Sequence, residues 1–279
     1  MKACMAATVL LLFFLLAYIC VEGMLVFKDT SVSQFLFSLR WYPLDTPGEF
    51  GILTMILSSF YVSVLAVILA VPLGVGCAVY CCFCLTEHIR NLFLSFIDML
   101  AGVPSVIFGF IGLVVLVKAF EQYGHMSSGE CILAGAIILA IMILPFIITN
   151  CTESMERGRD LYEEASLNLG VDRWYTIYHI ILPHAARAIC VSLILAFSRA
   201  MGETMAVMMV MGNSKVMPHL LGKGETIPAL IALEMGSAEY GSPHYHALYA
   251  AAMILLLLLI GCNILFYVLR RYLRKEGNR

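Results

Sequence analysis

The stretch YEEASLNLGVDRWYTIYHIILPHAARAICVSLILAFSRAMGETMAVMMVMGN, residues 162–213, decides the fold, because it runs a polar helical segment straight into a charged membrane span. Its first half holds E-A-S-x3-G-x9-I-x-L-P: Glu164, Ala165 and Ser166, then Gly170, then Ile180, Leu182 and Pro183. Good helix formers surround Glu164, and Gly170 is placed to end that helix in a left-handed conformation. From Asp172 onward, Trp174, Ile177, Tyr178 and Ile181 recur at helical spacing, which predicts an apolar stripe that Pro183 stops. A helix–turn–helix standing out from a membrane inserts into a groove on a partner, or else rests on the lipid surface. The spacing leaves both open.

The second half sets Arg199 and Glu203 in the apolar run 189–211, with Arg199 near its middle. An arginine at the bilayer centre costs ~2.5–3.5 kcal/mol on insertion scales. Glu203 follows at i+4, on the same helical face, where it would offset that charge. Ser198, Gly202 and Ala206 recur every four residues, a small-residue stripe that lets another helix approach. The pair either locks two spans together or faces a water-filled pathway. For the second role arginine suits an oxyanion, since its planar fork donates two parallel hydrogen bonds and keeps its charge.

Composition widens the reading to the whole chain. Of 279 residues, 61% are hydrophobic and 13% charged, with a mean hydropathy of +0.92. A soluble domain carries about a quarter charged residues, so this is a polytopic helical membrane protein. Six apolar runs reach span length: residues 3–26, 52–84, 93–117, 131–149, 189–211 and 247–269. Residues 1–50 are expected to form a first span with an external connection, and 51–279 the core domain. The first run is long for a signal-peptide core, so a retained span is expected. Trp41-Tyr42-Pro43 has the aromatic composition of a membrane interface. Pro72 and Gly74 are expected to kink the second run. Asp98, in the third run, reads as a helix-end carboxylate reaching the cytoplasmic interface. Residues 150–188 are too many for a structureless connection and predict short helices. A short helix is expected near 227–235, at the outer surface or dipping in, with Pro228 before it and Gly236 behind.

Basic residues orient the chain. With both termini in the cytoplasm, eleven of the 17 Lys and Arg fall inside, five outside, and Arg199 within the membrane. The segment 150–188 is then cytoplasmic. Most of the ten cysteines lie in apolar runs and read as small apolar residues; Cys81-Cys82-Phe83-Cys84 lacks the spacing of a zinc site. His244 and His246, with His219 and His125, lack a suitably spaced carboxylate or Cys, so no metal site is assigned.

E-A-S-x3-G-x9-I-x-L-P resembles the E-A-A-x3-G-x9-I-x-L-P signature of ABC-importer permeases, with Ser166 in place of the second alanine. The resemblance implies that this segment is the coupling helix docked on an ATP-binding subunit. R-A-M-G-E-T-M-A-V at 199–207, with Met-Gly-Asn after it, is similar to the R-A-L-G-E-T of phosphate-specific ABC permeases. The W-x-P at 41–43 and L-A-G-V-P-S-V-I-F-G at 100–109 point to the PstC type. The resemblance implies an all-α, six-span permease of the type I importer (MetI-like) fold in a bacterial inner membrane, with Arg199 and Glu203 needed for phosphate passage. It also implies partners: a PstA-type sister permease, two PstB-type ATP-binding subunits and a PstS-type periplasmic phosphate-binding protein. No G-x4-G-K-[ST] loop is present, since Gly222-Lys223-Gly224 lacks its other elements. ATP and Mg are therefore expected on the partner ATPase, with no cofactor on this chain. The rivals are a permease for molybdate or sulfate and an ion-coupled secondary carrier. A membrane-embedded enzyme would need a nucleophile or metal set that no run supplies.

Overall fold

The apolar runs become long helices, as a bilayer requires when every backbone N–H and C=O must be satisfied within the chain. The computed structural model describes residues 2–45, 47–124 and 126–276. His125 and Arg279, both used in the sequence reading, lie outside them. In chain order, α1 (Lys2–Leu25) ends in a 3-10 turn and is followed by α2 (Val32–Phe37). A small antiparallel hairpin comes next, β1 (Trp41–Tyr42) paired with β2 (Glu49–Phe50). Then follow α3 (Leu53–Phe83), α4 (Glu87–Ala101), α5 (Ser105–Ile111), a π-helical stretch Gly112–Val117, and α6 (Lys118–Tyr123). The remainder is α7 (Ile132–Asn168), α8 (Arg173–Thr176), a π-helical stretch Ile177–Ile181, α9 (Leu182–Met201), α10 (Met205–Val210), α11 (Ile227–Glu234) and α12 (Pro243–Glu276).

Among the described residues five helices are long and apolar enough to cross a membrane: Cys4–Lys28, Leu53–Phe83, Ser105–Tyr123, Ile132–Asn168 and Pro243–Val268. A sixth is a bent pair, Arg173–Ala186 with Ala188–Met201, turned by 50°. Helices α3 and α7 pack along each other at the centre, joined by α9, α5 and α10. Leu139, Ile143 and Ile147 of α7 lose all contact with the surroundings there. In lipid such packing rests on close fit and dispersion, with little hydrophobic drive. A second core, at the end of the bundle away from Asn168, gathers α1, α2, the hairpin, α11 and α12 around Phe35, Trp41, Ile52 and Leu248.

Four boundaries depart from the sequence reading. The third run does not make one span over 93–117: α4 stops at Ala101 and the spanning helix begins at Ser105. Pro104 has no N–H to continue the ladder and holds Val103 out of helical backbone, so the chain turns at Gly102-Val103 before restarting. The fourth run does not end at 149, because α7 continues unbroken to Asn168. Pro183 does not stop a helix either. The π-helical turn Ile177–Ile181 precedes it and widens the ladder where one donor is missing, so the chain stays helical into α9. The fifth run, expected over 189–211, breaks at Gly202-Glu203-Thr204. Pro72 and Gly74 lie inside a continuous α3.

The short helix α11 forms as expected and is packed into the chain: Ile227, Ala229 and Leu230 are fully buried. Thr226 caps it by accepting from the Ala229 N–H, and Ser59 of α3 accepts from the Ile227 N–H at 3.0 Å. Trp41 is packed inside the chain. It is 2% exposed, with its indole N–H donating to Glu234 at 2.9 Å.

Candidate functional site

The tip between α7 and α8 follows from three local residues. At the end of α7, Gly170 takes φ +71°, the left-handed conformation that a side chain with Cβ resists. Val171 N–H then bonds the Ser166 carbonyl and Gly170 N–H the Leu167 carbonyl, both at 3.0 Å. These are the two bonds of a Schellman turn, which satisfy carbonyls the helix would otherwise leave open. Asp172 opens the next helix, its Oδ2 accepting from the Trp174 and Tyr175 N–H groups.

Ion pairs brace this turn. Glu163 accepts from Arg173 Nε at 3.1 Å and faces Arg159 Nε at 3.8 Å. Arg159 also donates to the Cys82 carbonyl at 3.0 Å, and Arg90 meets Glu156 at 2.9 Å, fastening α7 to α3 and α4. Glu164, Ala165 and Pro183 are exposed; Ile180 and Leu182 are half-buried; Ser166 is buried inside the turn. The brace therefore runs through Glu163, beside the signature's glutamate, a residue the motif does not mark. The expected stripe splits. Ile177 and Ile181 pack inward, while Trp174 and Tyr178 stack on each other in the open. With Leu161, Leu167, Leu169 and Tyr175 they form an exposed apolar cap on an otherwise polar tip, and Leu169 is 82% exposed.

Deeper in, Arg199 lines an open cavity of about 180 Å³ with Asp98, Thr149 and Asn150. Thr149 Oγ1 donates to Asp98 Oδ1 at 3.4 Å. The helices α4, α7 and α9 each contribute one wall, and Thr149 lies ~25 Å along α7 from Ile132 at 1.5 Å per residue. Arg199 is exposed in the isolated chain, so its charge meets water or a partner and not packed side chains. Asp98 was visible in the sequence as an acid in an apolar run. Its place beside Arg199 was not, because α4 and α9 lie a hundred residues apart.

Glu203 does not share a helical face with Arg199. Gly202 ends α9 between them, and no ion pair among the described residues joins the two. Glu203 Oε1 instead accepts from the Ala206 N–H at 3.4 Å, capping α10. The small-residue stripe is divided by the same break: Ser198 donates to Asn263 at 3.4 Å, while Ala206 presses on Gly109. A Cβ at Gly109 would come within 2.9 Å of the Ala206 Cα, so the glycine is needed for the crossing.

At the end of the bundle away from Asn168, Glu234 gathers three donors: Trp41, Lys215 and His244. Burial pushes its carboxyl up, but these hydrogen bonds outweigh burial and hold it below the usual carboxylate range. Glu225, 3% exposed, has no hydrogen bond to Oε2; burial pushes its pKa up to about 7 against the pull of Lys215. His244 bonds Glu234 at 2.8 Å, while His246 lies beside a different carboxylate, Glu22, at 3.0 Å, so they do not converge on one point. Cys81 and Cys82 are buried and Cys84 is exposed, all as free thiols.

Known proteins share this architecture. Residues 70–276 match the family described as binding-protein-dependent transport system inner membrane component. A probable ABC transporter permease protein, YqgH, of Bacillus subtilis is 36% identical, covering 91% of this chain and 82% of that protein. The phosphate transport system permease protein PstC of Xylella fastidiosa is 31% identical, covering 88% and 81%. Among solved structures, a bacterial ABC transporter involved in alginate import superposes with a TM-score of 0.67 at 14% identity, covering 97% of this chain and 94% of that one.

Proposed function

The chain belongs to the family of binding-protein-dependent transport system inner membrane components, and from that premise we propose that it is the permease subunit of an ATP-driven importer of inorganic phosphate. It is a transport subunit: it forms a path and performs no bond chemistry. The carrying observation is Arg199, an always-charged fork standing open in a cavity between α4, α7 and α9, where an oxyanion gains two parallel donors. Similarity to phosphate permeases supplies the substrate. Glu203, at the break between α9 and α10, borders the same path. Both termini face the cytoplasm of a bacterial inner membrane.

The exposed cap of Leu167, Leu169, Trp174, Tyr175 and Tyr178 is the surface for a separate ATPase, whose closure moves α7 and α9 as rigid levers. That ATPase carries ATP and Mg. The full assembly has two such subunits of the PstB type, a PstA-type sister permease and a PstS-type phosphate-binding protein outside. Switching of access at the cavity follows from their movement.

Uptake of labelled phosphate into cells carrying the assembled importer tests this. Uptake should stop when ATP is depleted at a clamped membrane potential, and excess sulfate or molybdate should leave it intact. Uptake that survives ATP depletion would support an ion-coupled carrier, and inhibition by molybdate or sulfate another oxyanion.

A further inference from the structure

The cavity that holds Arg199 also holds a carboxylate, and the two do not neutralise each other. Asp98 of α4 and Arg199 of α9 both line it, yet no ion pair among the described residues involves either one. Asp98 receives one hydrogen bond among those residues, from Thr149 Oγ1 at 3.4 Å, which fixes one oxygen and leaves the other free to accept. Helix stability does not account for an acid there. Asp98 sits in the last turn of α4, which ends at Ala101, where the helix dipole disfavours negative charge.

A small anion drawn to Arg199 in a space of about 180 Å³ must also meet Asp98. A fully deprotonated oxyanion then faces a like charge. An oxyanion that still carries an O–H converts the repulsion into an O–H···O⁻ hydrogen bond, among the strongest a side chain accepts. At neutral pH inorganic phosphate keeps at least one P–OH, whereas sulfate keeps none. We infer that Asp98 is a specificity-determining residue of the pathway: it accepts the P–OH of a phosphate held by Arg199 and turns away fully deprotonated oxyanions. This rests on the phosphate reading of the pathway. No bond is made or broken; the proton stays on phosphate, and Asp98 discriminates by what it repels as much as by what it holds.

The test uses the complete complex, purified with its co-expressed partners, embedded in lipid nanodiscs and free of any binding protein. Labelled inorganic phosphate is the probe, with unlabelled phosphate or sulfate as competitor. In the wild type sulfate should compete at least about tenfold more weakly than phosphate. Asp98→Asn should keep phosphate bound, because the amide oxygen still accepts, and should bring sulfate to within about threefold of phosphate. Thr149→Val keeps the charge but frees its orientation, and should give an intermediate preference. An assembled Asp98→Asn complex with unchanged preference overturns the inference, as does one that loses both anions alike, or a wild type that does not discriminate. Should Asp98→Asn fail to assemble, Thr149→Val decides, and unchanged preference there overturns it. Arg199→Gln separates the two levels. If that complex still binds phosphate normally the pathway reading itself fails; if it loses phosphate while the Asp98 arm is silent, only the specificity role fails.

Discussion

Two helices of this chain end at a glycine within a few dozen residues, and they end in opposite ways. At the tip between α7 and α8 Gly170 adopts φ +71° and the chain reverses; within the apolar run 189–211 Gly202 keeps φ −91° and the chain is helical again from Met205. At the tip the open carbonyls are closed by Gly170 and Val171, and Asp172 starts the next helix. At the break Gly202 and Glu203 make tight turn bonds to Arg199 and Ala200, and the Glu203 side chain caps α10. A reversal exposes a knob that a partner can grip. A break between α9 and α10 opens the backbone and leaves Arg199 and Glu203 off a common helical face. Under the proposed function the reversal serves docking and the break serves the pathway.

Substitutions probe this contrast, the largest effect first. Arg199→Gln should lower phosphate uptake by roughly a hundredfold or more while the complex still assembles, because a charge-assisted bidentate donor is lost. Normal uptake would remove the membrane half of the comparison. Glu203→Gln keeps the carbonyl that caps α10 and loses only the charge, so uptake should fall about tenfold, less than for Arg199. The exchange Arg199→Glu with Glu203→Arg should not restore uptake, since the two do not pair across the break; recovery would show that they do.

Gly170→Val forces a β-branched residue into left-handed backbone at a local cost of about 1–2 kcal/mol. Pull-down of the ATPase should weaken, or ATP hydrolysis should continue without transport; coupled transport at the normal rate would break the docking half. Asp172→Ala removes only the cap of the second tip helix, worth about 1 kcal/mol. A few-fold loss in ATPase affinity with unaltered phosphate binding in the cavity would sharpen the division between the two regions.

Much of the tip was legible because its rules are local. Gly170 and Asp172 act through hydrogen bonds to residues at most five positions away, so the motif carries its own geometry. The short helix near 227–235 was legible for the same reason, from Pro228 at its start and an apolar core. Where the reading erred, a break was concealed inside an apolar run or a helix outran one. Hydropathy cannot distinguish α4 from the span that begins at Ser105, since Pro104 interrupts the backbone and not the apolarity. Gly202 looks, in sequence, like one more small residue of a packing stripe. The extension of α7 to Asn168 was missed because the charged segment reads as separate short helices, whereas here the Arg90–Glu156 ion pair and the Arg159 hydrogen bond to the Cys82 carbonyl tie it to α4 and α3 as one continuous helix.

The sequence by itself determined that the chain has several runs long and apolar enough to cross a membrane, that an arginine sits within one of them, and that a glycine-ended turn separates two helical segments of its polar stretch. These follow from apolar length, charge placement and local backbone preference, none of which needs a distant contact. Only the tertiary structure decided what Arg199 faces. It separated Glu203 from that side chain by ending α9, and it brought Asp98 and Thr149 to the same cavity from helices far away in the chain. Side chains meet there because α3, α7 and α9 pack in one arrangement, and that arrangement depends on shape fitted over many residues at once.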